Sequence, residues 1–253
     1  FFFKQKTAYE IPKRDWSSDV CSSDLKAFLA PQTQTTLQGV RVLMTAGPTF
    51  EPIDAVRGIT NRSSGKMGYA IARAAIGAGA KVTIVSGPSS QPIPAGAAVT
   101  RVETASEMFE AVKQHAGQAD IFIGVAAVAD YRVETPSEHK IKKTEDAQLT
   151  LKLVPNPDIL GWVASLPKPP FTVGFAAESR NVEAYADEKR RRKKINVIAA
   201  NLAQAAIGAD DNEVMLLDDK GTHKLTRAPK EVVARDIVAH VAKLYATSRV
   251  GKA

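Results

Sequence analysis

The sequence predicts an α/β fold, a mostly parallel sheet covered by helices on both faces. Short β-branched apolar runs alternate with helical segments along most of the chain, and one of these runs, Ile121 to Val125, is continuously apolar as buried parallel strands are. With 253 residues, 44% of them hydrophobic, the chain is long enough for a sizeable core.

Each element has its own signal. Val40 to Thr45 is a β-rich run, and Gly65 to Ile76 is an Ala-rich helix. Val82 to Val85 is a strand stopped by Gly87-Pro88. Thr104-Ala105-Ser106-Glu107 is a capping box that opens a helix reaching about His115, ahead of the strand Ile121 to Val125. Phe171 to Phe175 and Val197 to Ala200 are further strands with a charged helix between them. Met215 to Leu217 and Lys224-Leu225-Thr226 flank Asp218-Asp219-Lys220-Gly221 as a C-terminal hairpin, and Glu231 to Tyr245 is the closing amphipathic helix. Ligands of such folds bind outside the carboxyl ends of the strands, so the loops there are where function is expected.

Composition narrows the function classes. Thirty-four Lys plus Arg against 27 Asp plus Glu give a net charge of +7, which predicts anionic partners. A single cysteine excludes an internal disulfide or a Cys-based zinc site and points to a reducing, cytoplasmic setting. No apolar run is long enough for a membrane-spanning helix. The four histidines are scattered, so neither a metal site nor a Ser/His/Asp triad is indicated.

Residues 1–25 stand apart. They lack the apolar region of a signal peptide and show no helical or strand period. Asp15 to Leu25, and separately Lys4 to Ile11, correspond to back-translated pieces of a sequencing-library adapter, so the segment is read as a translated adapter. It holds four basic residues (Lys4, Lys6, Lys13, Arg14) and four acidic ones (Glu10, Asp15, Asp19, Asp24), so the +7 resides wholly in the remainder, while the only cysteine, Cys21, goes with the adapter. Residues 26–39, with Ala30-Pro31-Gln32-Thr33-Gln34-Thr35-Thr36, read as a linker remnant, 40–247 as the domain and 248–253 as a tail.

Five segments carry candidate chemistry. In Thr45-Ala46-Gly47-Pro48-Thr49 the proline removes an amide where a dinucleotide fold would offer one to pyrophosphate. The missing G-x-G-x-x-G disfavours a Rossmann oxidoreductase. Arg57 to Gly68 leads hydroxyls, glycines and Lys66 into a helix, which suits an anion site and suits an ordinary Ser N-cap with glycine packing equally well. Ala126-Ala127-Val128-Ala129-Asp130-Tyr131-Arg132 combines small residues with an Asp at a strand end, and a long polar excursion from Arg132 to Thr150 follows, in the manner of a lid. Val154-Pro155-Asn156-Pro157-Asp158-Ile159 is a rigid loop that caps the next helix. The run Lys189-Arg190-Arg191-Arg192-Lys193-Lys194 reads as a solvated face or a nucleic-acid patch, yet Tyr185, Lys189 and Lys193 share one helical face, where the two lysines could meet a triphosphate. No aromatic interleaving or nucleic-acid module accompanies the run.

Six motifs in order, Thr45 to Thr49, Asn61 to Gly68, Ala126 to Tyr131, Lys140-Ile141-Lys142-Lys143, Asn156-Pro157-Asp158 and Gly174-Phe175-Ala176-Ala177-Glu178, resemble phosphopantothenoylcysteine synthetase, the C-terminal half of a bifunctional bacterial enzyme, over about Val40 to Tyr245. The resemblance implies a three-layer Rossmann-like fold with a flap-like excursion. It also implies a CTP-dependent ligase of coenzyme A biosynthesis that joins 4′-phosphopantothenate to L-cysteine through an acyl-cytidylate, uses Mg²⁺ and works as a homodimer. By resemblance Asn61, Lys140 and Arg57 are catalytic. Gly124, Val125, Ala126, Asp130, Lys140, Pro157, Asp158, Ile159, Leu160, Phe175, Lys189 and Lys193 would bind CTP, while Asn61, Ser63, Ser64, Gly65, Lys66, Gly68 and Ala126 would bind phosphopantothenate. The metal ligands are not assigned. Gly58, Thr60 and the stretch from Gly208 to Glu213 depart mildly from the family pattern. The resemblance also implies a missing N-terminal half, an FMN-binding decarboxylase. A Rossmann-like oxidoreductase and a basic nucleic-acid-binding module are the competing readings; neither nucleic acid nor a membrane is expected as a partner.

Overall fold

The computed structural model describes residues 35–143, 148–178, 180–202 and 209–250. The expected adapter, the linker as far as residue 34 and the last three residues of the tail lie outside them. The first half runs β1 (Arg41–Ala46), β2 (Phe50–Pro52), β3 (Gly58–Thr60), α1 (Lys66–Gly77), β4 (Lys81–Ser86), β5 (Ala98–Arg101), α2 (Ala105–Ala116), β6 (Ile121–Gly124) and β7 (Tyr131–Val133). The second half runs β8 (Leu153–Pro155), α3 (Ile159–Ala164), β9 (Phe171–Glu178), α4 (Val182–Lys193), β10 (Val197–Leu202), β11 (Asp211–Asp218), β12 (Gly221–Pro229) and α5 (Lys230–Val250).

Eight strands form one sheet in the order β12-β11-β10-β9-β6-β1-β4-β5. The six from β10 to β5 pair in parallel, and β11 and β12 add an antiparallel hairpin at one edge. From β1 the chain builds outward through β4 to β5 and then returns to the other side of β1 for β6, β9 and β10. The strand order therefore reverses between β1 and β6. A crevice opens at their carboxyl ends, because the connections leave there in opposite directions.

Alternation along β1 separates the layers. Val42 and Met44 face a core shared with α1 and α5, including Tyr69, Ile71, Ile237 and Val241. Leu43 faces the other side, where it joins Phe122, Met108 and Val112 of α2 and Val163 of α3. Val182 and Ala186 of α4 pack near Ile198 and Leu217 on a third cluster. Burying each large side chain fully contributes about 1.5–3 kcal/mol, and that is what holds the helices to both faces of the sheet.

The capping box forms as expected: Glu107 N–H donates to Thr104 Oγ1 at 3.1 Å, and Glu107 Oε2 accepts from Thr104 N–H at 3.2 Å. Three expectations shift. The domain begins before Val40, because Leu37 is buried in the core and its N–H donates to the Ala78 carbonyl at 2.9 Å. The closing helix runs through to Val250, so residues 248–250 are helix rather than tail. The first helix has no serine cap: its N-cap is Gly65 in the left-handed region, φ 78°, with no side-chain capping bond. The excursion after Arg132 is framed by the antiparallel pair β7 and β8, with Tyr131 opposite Pro155 and Val133 opposite Leu153. Among the described residues no helix is long and apolar enough to cross a membrane.

Candidate active site

The loops after β1 and β6 are fastened to each other. Ala127 N–H donates to the Gly47 carbonyl at 2.9 Å, Thr49 N–H donates to the Ala127 carbonyl at 3.2 Å, and Ala129 N–H donates to Thr49 Oγ1 at 3.0 Å. Asn156 then ties the far side of the same loop, its Nδ2 donating to the Ala129 carbonyl at 2.9 Å and its backbone N–H to the Asp130 carbonyl at 2.8 Å. Small residues at 126, 127 and 129 allow this tight run and leave room above it.

That room is a cleft made of two adjoining cavities of about 300 and 440 Å³, which share Ala126, Val128, Asp130, Phe175 and Lys189. The smaller is lined by Gly124 and by Pro157, Asp158, Ile159, Leu160 and Lys193. The larger is lined by Asn61, Ser63, Ser64, Gly65, Lys66 and Val125. Of the residues expected to bind ligands, Lys140 and Gly68 are outside the lining of both. Gly68 is instead buried where α1 crosses β1: a Cβ there would lie 2.8 Å from Ala46 Cβ, so glycine permits the close approach of helix to strand.

The Asn61 side chain donates from Nδ2 to the Ala127 carbonyl at 2.9 Å, fixing the amide at the mouth of the larger cavity. Gly65 lies close against the loop after β1, since an added Cβ would approach Gly47 Cα to 3.3 Å and Ser89 Oγ to 2.8 Å. The start of α1 thus sits beside the end of β1, although the β2–β3 hairpin is inserted between them. The positive end of the α1 dipole and the Lys66 ammonium make this end of the cleft attractive to anions. Lys66 Nζ meets Asp210 at 2.5 Å, and the Asp210 carboxyl is held below its ordinary value first by that bond.

The opposite end is built by α3 and α4. Asp158 is the N-cap of α3, accepting from Gly161 N–H at 3.0 Å, and also accepts from Lys193 Nζ at 2.6 and 2.7 Å. Burial pushes the Asp158 carboxyl up, but Lys193, the Gly161 N–H and the nearby Lys189 charge outweigh it and leave the group below its ordinary value. The expected pairing of Lys189 and Lys193 on one face holds, as both line the smaller cavity. The neighbouring arginines are neutralised within the fold: Arg190 meets Asp219 at 2.7 Å, Arg191 meets Asp187 at 2.8 Å and Arg192 reaches Glu188 at 3.8 Å. The basic run is therefore largely paired with carboxylates of its own chain.

Arg57 and Lys140 are both outside the cleft lining. Arg57 Nη2 donates to the Ile141 carbonyl at 3.0 Å, and its guanidinium grips Asp54 at 3.0 Å through Nε and 2.5 Å through Nη2. Asp54 also accepts from the Ile141 N–H at 3.1 Å. This buried carboxylate thus pins the excursion, one residue beyond Lys140, to the loop between β2 and β3. The Arg57 bond, against the opposing effect of burial, holds Asp54 well below the usual carboxylate range, with the N–H groups of Val56, Ile141 and Arg57 adding to it.

Sequence reasoning missed Asp54, Lys230, Asn201 and Asn212. Lys230, at the start of α5, is only 8% exposed, and burial followed by the Lys66 charge pulls its ammonium pKa down. It lines the larger cavity with Asn201 and Asn212, which hydrogen-bond to each other at 3.1 Å. Lys230 falls just before the expected helix from Glu231, and nothing local in the sequence distinguishes it from a surface lysine.

Residues 37–245 match the family model described as DNA/pantothenate metabolism flavoprotein C-terminal domain. The chain is 46% identical over 213 residues to the Coenzyme A biosynthesis bifunctional protein CoaBC of Vibrio vulnificus (strain CMCP6), covering 82% of this chain and 53% of that protein. The corresponding figures for the protein of that name from Escherichia coli (strain K12) are 46% over 215 residues, 83% and 53%, and for that from Bacillus subtilis (strain 168) 42% over 221 residues, 85% and 54%. The chain spans about half the length of these relatives. Among solved structures it is similar to the C-terminal domain of Coenzyme A biosynthesis bifunctional protein CoaBC, with a TM-score of 0.72 and 40% identity over 83% of this chain and 97% of that one. A Cab2 variant in complex with phosphopantothenate-cysteine shares the fold, with a TM-score of 0.70 at 18% identity, covering 94% of this chain and 97% of that one. The match of fold, motif order and sequence over more than four fifths of its length places this chain in the DNA/pantothenate metabolism flavoprotein C-terminal domain family.

Proposed function

We propose that the chain is the phosphopantothenate–cysteine ligase of coenzyme A biosynthesis, driven by CTP. The observation that carries this reading is the continuous cleft at the sheet's switch point, with Lys193 at one end, Asn61 and the start of α1 at the other, and Ala126, Asp130 and Lys189 shared between them. Such a cleft suits two anionic ligands laid end to end, with their reacting groups meeting over the small-residue loop.

The reaction would proceed in two steps. The 4′-phosphopantothenate carboxylate attacks the α-phosphorus of CTP, a P–O bond forms, and pyrophosphate leaves. The cysteine amine then attacks the acyl carbon of the acyl-cytidylate, an amide forms, and CMP leaves with the anhydride oxygen. Carboxylate attack on a polyanion depends on charge neutralisation more than on a strong base. Lys189 and Lys193 supply fixed positive charge, and Lys193 can pass from Asp158 to phosphate oxygens. Asn61, already tied through Nδ2 to Ala127, keeps an acceptor oxygen and a second N–H for the mixed anhydride.

The carboxylate that would hold Mg²⁺ here is that of Asp130, which lines both cavities. Bound there, it would neutralise phosphate charge, holding water and phosphate oxygens as its other ligands. Neither Arg57 nor Lys140 is in the lining of the cleft, which supports a homodimer with the site near the subunit interface.

The test is pyrophosphate release by the folded protein given Mg²⁺, 4′-phosphopantothenate and each nucleoside triphosphate in turn. Release is expected with CTP and not with ATP, and adding cysteine should convert the accumulated acyl-cytidylate to CMP and phosphopantothenoylcysteine. No release with CTP would remove the proposal, and release with ATP alone would reassign the nucleotide.

A further inference from the structure

We propose that Asp218, His223 and His240 form a binding site for a divalent transition-metal ion of the zinc class, separate from the cleft. The sheet sets the separation. β11 runs antiparallel to β10, so Asn212 at its start lies at the cleft, while Leu217 is opposite Ile198 and Asp218 ends the strand at the far edge. His223 comes from β12 and His240 from the middle of α5, so three elements converge on one point.

Their geometry is that of a shared ligand point. Asp218 Oδ2 is 2.8 Å from His240 Nε2 and 3.2 Å from His223 Nε2, and one ligand atom from each residue falls within 4.8 Å of the others. The imidazole rings are 4.6 Å apart at their centroids and tilted by 54°. The Asp218 side chain is 2% exposed, and its other oxygen accepts the Lys220 N–H at 2.6 Å, which turns Oδ2 toward the histidines. An outer hydrogen bond of this kind is how ligating carboxylates are oriented.

Hydrogen bonding alone does not satisfy the cluster. His240 takes the bond to Oδ2, whereas the enclosed His223 Nε2, 3.2 Å from the same oxygen, makes no aligned hydrogen bond to it and has no other partner among the described residues. A cation at the meeting point would accept a lone pair from both Nε2 atoms and from Oδ2, with each imidazole proton on Nδ1. Two ligands at about 2.0–2.1 Å from a tetrahedral ion lie roughly 3.3–3.4 Å apart, so the His223 spacing already fits and His240 has to move by about half an ångström. Two imidazoles and a carboxylate suit Zn²⁺, Co²⁺ or Ni²⁺ over Mg²⁺ or Ca²⁺, which prefer all-oxygen sets. Water would complete the coordination set of the bound ion. The bound ion would tie the turn of the β11–β12 hairpin to α5.

Chelator-treated full-length chain titrated with Co²⁺ and Zn²⁺ at neutral pH tests this. One equivalent is expected, with visible Co²⁺ d–d bands that Zn²⁺ bleaches and a raised unfolding temperature. His223→Gln and His240→Gln should each weaken binding roughly tenfold or more, the scale on which even outer-shell changes act. His115→Gln, at the end of α2, should leave it unchanged. Absence of one-equivalent binding in the unsubstituted chain would overturn the site, as would wild-type binding by the double His→Gln variant. Should the variants fold poorly, anomalous scattering from zinc-soaked crystals decides: a peak among the three side chains supports the site, and none there overturns it.

Discussion

Asp54 and Asp158 each hold a loop beside the cleft, but their surroundings differ. The Asp54 side chain is fully buried and accepts from Val56 N–H, Arg57 N–H, Arg57 Nε, Arg57 Nη2 and Ile141 N–H. The Asp158 side chain is 55% exposed and shares itself between a helix cap and the Lys193 ammonium, which lines the smaller cavity. A saturated buried carboxylate cannot give up a partner without stranding donors, whereas a solvent-facing pair can exchange one anion for another. The excursion end of the molecule is therefore framed, and the α3–α4 end is adjustable. Ligand phosphates belong where the lysine can let go.

Asp54→Asn should show the largest effect. It removes the charge facing Arg57 and places an NH₂ among groups that are themselves donors, so both the unfolding midpoint and the order of the excursion should fall. Hydrogen exchange at Ile141 N–H should accelerate toward that of an open loop. The sign with pH is fixed by the lowered carboxyl. The Asp54 contribution is fully present above the ordinary carboxylate value of about 3.9 and is lost as pH falls from there toward the folded value. Denaturant unfolding of both proteins at neutral pH and below pH 4 checks this, and a stability gap that widens in acid would contradict the frame.

The contrast between the two ends also explains what could be read from the sequence. The long parallel strands announce themselves as apolar runs, because both of their faces are buried, and the capping box marks α2 chemically. The three-residue strands β2, β3, β7 and β8 carry no period long enough to detect, and include Pro52, Gly58 and Pro155. β5 is a half-exposed edge strand. Most of the cleft lining was legible because motif residues follow strand ends. Asp54 was not, since an Asp three residues before an Arg is a common turn, and its significance arises only when Ile141, 87 positions later, arrives on it. The Gly65 cap was not legible for a related reason: Ser63 and Ser64 look like caps, but their hydroxyls accept from N–H groups of the turn itself, Gly65 at 3.3 Å and Lys66 at 3.4 Å.

Lys193→Gln sharpens the adjustable end. A charge-assisted hydrogen bond is worth about 1.5–3 kcal/mol, so KM for CTP should rise roughly 10- to 150-fold if this ammonium moves onto phosphate, with kcat less affected. Stability should drop only slightly, because half of Asp158 faces solvent and its cap to Gly161 N–H persists. The opposite split, with KM for CTP unchanged and a clear fall in the unfolding midpoint, would make Lys193 part of the frame and erase the difference between the two ends.

The smallest effect is expected one residue on. Lys194 closes α4 in the left-handed region, φ 55°, with its N–H donating to the Arg190 and Arg191 carbonyls. That conformation costs a residue with a Cβ about 1–2 kcal/mol, part of which glycine gives back through the greater freedom of the unfolded chain. Lys194→Gly should therefore raise stability by about 0.5–1 kcal/mol, read as a higher denaturation midpoint. Since Lys194 is not in the lining of either cavity of the cleft, KM for CTP should stay as it is, in contrast to its neighbour Lys193. If KM rises with the midpoint, positive charge beyond the cleft wall contributes to holding the triphosphate, and the adjustable end extends past the end of α4.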